Sequence, residues 1–151
     1  MESLVKLFSA LLTPTIAIVT TFIAIQQYRL QKFKVRHELF ERRLAVYKAV
    51  AEYLTVVIRP EPPADESALK MIRETADASF LFKEEISNYL EELYKKGIDL
   101  WVLNEELSDR TMDKQERRTK AVERGELKKW FGNQYSAAHE KFKRYLALGS
   151  S

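Results

Sequence analysis

The sequence predicts an all-α protein, in which an N-terminal transmembrane helix continues into a cytoplasmic antiparallel bundle of about four helices. Three observations predict it. A run of 19 residues without a charge stands close to the N-terminus. Apolar residues beyond it recur at alternating spacings of three and four, the period of one helix face. Only 4 Gly and 4 Pro interrupt 151 residues, which suits long helices. The expected division is a membrane anchor over 1–28, a helical bundle over 29–148 and a short tail over 149–151.

The uncharged run is Leu7 to Ile25. A helix needs roughly 20 apolar residues to cross the hydrocarbon core. Lys6 bounds one end. Gln26, Gln27, Tyr28 and Arg29 bound the other, with Tyr28 placed as an interfacial aromatic. The threonines do not spoil the run, because a Thr hydroxyl can bond its own helix backbone. Pro14 implies a kink or a local break, which membrane helices tolerate. A cleaved signal peptide is the poorer reading: the run exceeds the usual apolar region of roughly 7–15 residues, and Phe22 occupies the position where a small residue is wanted before Ala24. A buried core helix is the other competing reading.

The flanks set the orientation. Arg29, Lys32, Lys34, Arg36, Arg42 and Arg43 follow the run, against Glu38 and Glu41. The excess of positive charge places the C-terminal side in the cytoplasm of a bacterial cell and the N-terminus outside its inner membrane. Arg29, Lys32, Lys34 and Arg36 are the expected contacts to anionic lipid. Within the run, Ala10, Thr13, Ala17, Thr20, Ala24 and Gln27 share one helix face. Small residues let helix backbones approach closely in lipid, so this stripe is read as a helix–helix face, with a pore lining as the alternative.

Residues 26–58 contain no Gly and no Pro. Leu30, Phe33, His37, Phe40, Leu44, Tyr47, Ala51, Leu54 and Ile58 form a heptad seam, and the helix is expected to end at Arg59-Pro60. Asp65 or Ser67 is the expected cap of a second helix, with Leu69, Ile72, Ala76 and Phe80 as its apolar face and Ser79–Phe82 as its close. A third helix is expected over 83–107, with Ile86, Leu90, Leu93, Gly97, Leu100, Asn104 and Leu107 in its seam. Gly97 there implies close approach of a neighbouring helix. A polar connector from Ser108 leads to a fourth helix from about Asp113 to Leu146, interrupted near Arg124-Gly125. Its face is Leu127, Phe131, Gln134, Ala138, Phe142 and Tyr145.

Charge is segregated. Nine acidic residues stand against four basic ones between Arg59 and Glu92, and the balance reverses between Arg110 and Lys129, with eight basic against four acidic. Complementary faces of one bundle account for this most simply. Arg117, Arg118, Lys120, Arg124, Lys128 and Lys129 are nevertheless a candidate basic patch for a ligand or partner.

Catalytic constellations are scarce. There is no Cys, so thiolate nucleophiles, disulfides and Cys-based metal sites are excluded. His37 and His139 stand alone, without the Glu-x-x-His pair of a di-iron bundle. The pairs Glu84-Glu85, Glu91-Glu92 and Glu105-Glu106 are adjacent in sequence and point to different helix faces. No phosphate-binding glycine loop occurs. The expectation is a protein that is not an enzyme and holds no cofactor or metal.

Gln26-Gln27-Tyr28-Arg29 and then His37-Glu38-Leu39-Phe40-Glu41-Arg42-Arg43, closing on Val46-Tyr47, resemble the juxtamembrane helix of a broad group of bacterial single-pass membrane proteins. Phe80-Leu81-Phe82, with Glu85-Ile86 and Tyr89-Leu90, is similar to a second block in that group. The resemblance spans about residues 10–100. It implies the single membrane helix but carries over no activity and no functional residue. The expected function is a membrane-anchored, non-enzymatic helical interaction or assembly module. Its expected partners are the lipid bilayer, further copies of itself and an unidentified protein; nucleic acid is not expected. The alternative is a membrane effector, by analogy of architecture with phage-defence proteins, whose bundle senses a ligand such as a nucleotide and perturbs the membrane.

Overall fold

Helix-forming sequence with few breakers produces helices wherever the chain is described. The structure, a computed structural model, describes residues 2–59 and 64–147, with the side chains of all of these except 2–5, 7–13 and 64–66. The elements are α1 (Glu2–Val57), α2 (Ala64–Glu74), the single turn α3 (Ala78–Leu81), α4 (Glu84–Ser108) and α5 (Lys114–Leu146). No strand occurs among the described residues. The chain divides into two units, Met1–Leu39 and Phe40–Ser151.

The second unit contains the core, and its register explains why. At the N-terminal end of α5, Asp113 caps the helix by accepting from the Gln115 and Glu116 backbone N–H groups. From that start α5 runs antiparallel to α4. Glu106 meets Lys120 at 2.9 Å, Lys96 Nζ lies 4.9 Å over the Trp130 ring, the Tyr89 hydroxyl donates to the Gln134 carbonyl at 3.3 Å, and Glu85 meets Arg144 at 2.5 Å. The same helix runs antiparallel to the end of α1. Arg43 donates to the Tyr145 carbonyl at 3.3 Å, the Tyr47 and Phe142 rings are 5.6 Å apart, and the Tyr53 and Phe131 rings 6.3 Å. Helix α2 packs on α4 and ties to α1 through Lys70 and Glu52 at 2.5 Å. The result is an up-down-up-down bundle.

Phe131, Phe142, Leu54, Ile86, Leu93, Leu100 and Val50 are the largest fully buried side chains. Each contributes about 1.5–3 kcal/mol by leaving water. The exposed ion pairs between α4 and α5 contribute at most about 1 kcal/mol each. Burial therefore holds the bundle.

Several expectations are corrected. The heptad seam of α1 is not the stripe that packs in the bundle. Val46, Val50, Tyr53 and Val57 are buried, whereas Leu44, Tyr47 and Ala51 are half-buried and Ile58 is exposed. The packed stripe is offset by one residue, a rotation of roughly 100°. The Tyr53 ring meets Phe131, and among the expected seam residues only Leu54 is fully buried. In the α2–α3 region the predicted face is the outer one. Leu69, Ile72, Ala76 and Phe80 are exposed, Phe80 at 87%. Met71, Thr75, Ala78 and Phe82 turn inward instead. Phe82 wins because its ring meets both Phe142 and Tyr145 at 5.2 Å and the Arg43 guanidinium at 5.8 Å. Thr75 tolerates burial by donating its hydroxyl to the Met71 carbonyl at 2.8 Å. Asp65 and Ser67 do not cap α2 but lie within its first turn. Helix α2 stops at Glu74, before the expected close. Helix α5 passes Gly125 without interruption, and a Cβ there would meet nothing within 4 Å. The cost of one exposed helical Gly, about 1 kcal/mol, is smaller than what the packed face of α5 supplies.

The seams of α4 and α5 are as expected. Ile86, Leu90, Leu93 and Leu100 are buried on α4, and Phe131, Gln134, Ala138 and Phe142 on α5. Helix α1 runs through Pro14. No helix is long and apolar enough among the described residues to cross a membrane. The uncharged run includes Leu7–Thr13, whose side chains lie outside the described residues.

Candidate functional site

The first unit is one helix, and every described side chain from Pro14 to Leu39 is exposed. Its apolar residues form no narrow stripe. Ile16, Ile18, Val19, Phe22, Ile23 and Ile25, all at 47% exposure or more, spread over about half of the circumference, and Ala17, Thr20, Thr21 and Ala24 occupy the other half. The hydroxyls in this stretch are satisfied by their own backbone. Thr20 donates to the Ile16 carbonyl at 2.9 Å, and Thr21 to the Ala17 carbonyl at 2.8 Å. Such a helix offers its surroundings few unmet polar groups. Ala17, Thr20, Ala24 and Gln27 lie exposed along one face, while the side chains of Ala10 and Thr13 lie outside the described residues. Arg29, Lys32, Lys34 and Arg36 are all exposed. Tyr28, Leu30, Phe33 and Val35 are exposed among them, and the Phe33 and His37 rings stack at 6.2 Å.

The candidate basic patch on α5 divides into two stripes. Arg117, Lys120, Arg124 and Lys128 follow one face at helical spacing and are half-buried. Arg117 donates to the Leu107 carbonyl at 3.1 Å and to the Asp109 carbonyl. Lys120 bridges Glu106 at 2.9 Å and Glu116 at 3.3 Å, and Lys128 donates to the Arg59 carbonyl at 3.4 Å. The hydrogen bond from Lys120 to Glu106 raises the affinity of that ammonium for its proton. These three cations tie α5 to its neighbours. Arg118 and Lys129 point outward on the adjacent stripe.

Sequence reasoning missed a cavity of about 370 Å³ in the second unit, between α1, α2 and α4. Tyr53, Tyr94 and Trp101 give it aromatic walls, Leu69 and Ile98 aliphatic ones, and Ser67 and Asn104 its polar edge. Among the described residues no charged side chain lines it. Gly97 shapes its floor: a Cβ at that position would overlap the Tyr53 hydroxyl. The close approach that Gly97 implied is thus made by a side chain of α1, not by a second backbone. Burial pushes the Tyr53 phenol up to about 12. Gly97 in an otherwise apolar seam was the one sequence signal for this place.

Among the described residues no group of three or more His, Asp or Glu side chains could hold a metal ion. His139 lies at the surface, its Nδ1 3.5 Å from the Tyr47 hydroxyl. Comparison of the chain with family models, curated proteins and solved structures finds no match.

Proposed function

We propose that this protein is a membrane-anchored, non-enzymatic helical interaction module of the bacterial inner membrane, with its N-terminus outside and its bundle in the cytoplasm. One observation carries the reading: between Ile16 and Ile25 the large apolar residues of α1 span half of the helix, only Ala and Thr fill the other half, and all of them are exposed among the described residues. A helix that is apolar all round suits apolar surroundings on all sides, whereas a helix that packs on one partner needs only a stripe. The charge-free sequence from Leu7 supports a full crossing, and Arg29, Lys32, Lys34 and Arg36 support a cytoplasmic headgroup contact. In that setting the stripe through Ala17, Thr20, Ala24 and Gln27 suits a second copy of the chain, because small residues permit close backbone approach in lipid.

The test is fractionation of the full chain and of a variant lacking residues 1–25. The full chain is expected in the membrane pellet after a high-salt wash, and the truncated chain in the supernatant. A cytoplasmic reporter fused after residue 147 is expected to be active. Release of the full chain by salt alone, or an active periplasmic reporter at that position, overturns the reading.

A further inference from the structure

The cavity between α1, α2 and α4 lies outside the membrane reading and does not depend on it. Its wall holds a polar group that the protein leaves unmet. Tyr53 is only 3% exposed, yet its hydroxyl makes no hydrogen bond among the described residues, and burial alone shifts its ionisation. No fully occluded side-chain nitrogen or oxygen among the described residues lacks a partner. The Tyr53 hydroxyl therefore keeps an opening, and Gly97, against which it lies, is part of the cavity wall. A hydroxyl that opens into a cavity and has no protein partner is free to donate to an acceptor placed there.

We propose that this cavity binds a neutral aromatic small molecule carrying one hydrogen-bond acceptor for the Tyr53 hydroxyl. The volume of about 370 Å³ lies at the lower end of the range of small-molecule sites. Tyr94 and Trp101 provide faces for a flat ring, and Trp101 is 39% exposed, so one side of the site is open to entry. The described lining, aromatic and aliphatic with Ser67 and Asn104 at its edge, sets the class. A nucleotide would bring its phosphates against Ile98, Leu69 and Trp101 with no cation to meet them, which costs far more than ring stacking returns. A bound ring would touch α2 through Leu69, α1 through Tyr53 and α4 through Ile98, and would join the short helix α2 to the other two.

Acetophenone serves as the probe, because it is flat, uncharged and carries one carbonyl acceptor. Benzoate is its charged counterpart, and AMP represents nucleotides. The full chain in mild detergent, labelled at isoleucine methyls, is titrated by NMR. Ile98 reports the cavity wall, while Ile86, fully buried elsewhere in the core, reports the fold. Reading a protein methyl separates binding from partition of the probe into detergent. Acetophenone is expected to shift Ile98 saturably and leave Ile86 in place, while benzoate and AMP shift neither. Tyr53→Phe is expected to raise the Kd about five- to tenfold, the worth of one hydrogen bond. Leu69→Trp, at a position where Leu69 is 59% exposed, is expected to fill the cavity and abolish the Ile98 shift with Ile86 unchanged. A wild-type Ile98 that does not saturate, equal affinity in Tyr53→Phe, or benzoate binding as tightly as acetophenone overturns the proposal.

Discussion

Residues 16–25 and residues 46–57 both belong to α1, and both are rich in aliphatic side chains. In the first stretch Ile16, Ile18, Val19, Phe22, Ile23 and Ile25 are all 47% exposed or more. In the second, Val46, Val50, Tyr53, Leu54 and Val57 are 6% exposed or less. Apolar content does not separate them; periodicity and what interrupts it do. Glu52 and Lys48 occupy the outer face of the second stretch, so only one stripe is apolar and one set of partners covers it. The first stretch has no polar side beyond its threonines, and their hydroxyls turn back to the helix. One-sided apolarity calls for a bundle. All-round apolarity calls for an apolar medium.

The comparison is broken most severely if burial does not govern stability in the second unit. Phe142→Ala removes a fully buried ring from contact with Tyr47 and Phe82, and is expected to destabilise the bundle by about 3–5 kcal/mol. Phe33→Ala, at a 67% exposed position of the first unit, is expected to change unfolding by less than about 0.5 kcal/mol. Chemical denaturation followed by circular dichroism measures both, and similar values for the two would remove the distinction drawn here.

Alkaline titration sharpens it next. The Tyr53 phenol is raised from 10.0 to about 12 by burial, so the folded state holds its proton more tightly than the unfolded chain does. That contribution, about 3 kcal/mol from a shift of roughly two pKa units, is fully present below pH 10 and is lost as pH rises through 12. Burial also raises Tyr89, with Glu92 adding to the effect. The stability of Tyr53→Phe is therefore expected to fall less steeply than wild type between pH 10 and 12. Parallel curves would mean that the Tyr53 ring is wetter than its packing implies.

The smallest expected effect concerns Gly97. A methyl group there meets the Tyr53 hydroxyl, and Gly97→Ala is expected to cost about 1–3 kcal/mol by overpacking. Combining it with Tyr53→Phe removes the colliding oxygen, although the ring carbon beneath stays 3.3 Å from the new methyl. The double variant is expected to recover part of the loss, and thermal unfolding of all four combinations gives the coupling. Simple additivity would show that the two residues do not touch.

Much of this architecture was legible in the residues. Aliphatic residues on α4 and mainly aromatic ones on α5, at steps of three and four, made both helices with named faces, because a 3.6-residue period leaves few other ways to bury Ile86, Leu93, Phe131 and Phe142 together. Asp113 before Gln115-Glu116 marked the start of α5 through its spare carboxylate oxygen. The charge asymmetry did not anticipate the pairs that form: Glu106, which meets Lys120, lies outside the acidic stretch, and Arg144, which meets Glu85, lies outside the basic one. Tertiary structure alone decided the rest. In α1 two adjacent stripes are both apolar, and one residue of offset separates them, so only the shapes presented by α4 and α5 could choose Val50 and Tyr53 over Tyr47 and Ala51. Phe80 and Phe82 are equally hydrophobic, and the choice of Phe82 for the core followed from Phe142, Tyr145 and Arg43 meeting at one place. The cavity has the same origin. Tyr53, Gly97 and Leu69 lie on three helices, and no periodicity within one helix records what the other two leave unfilled.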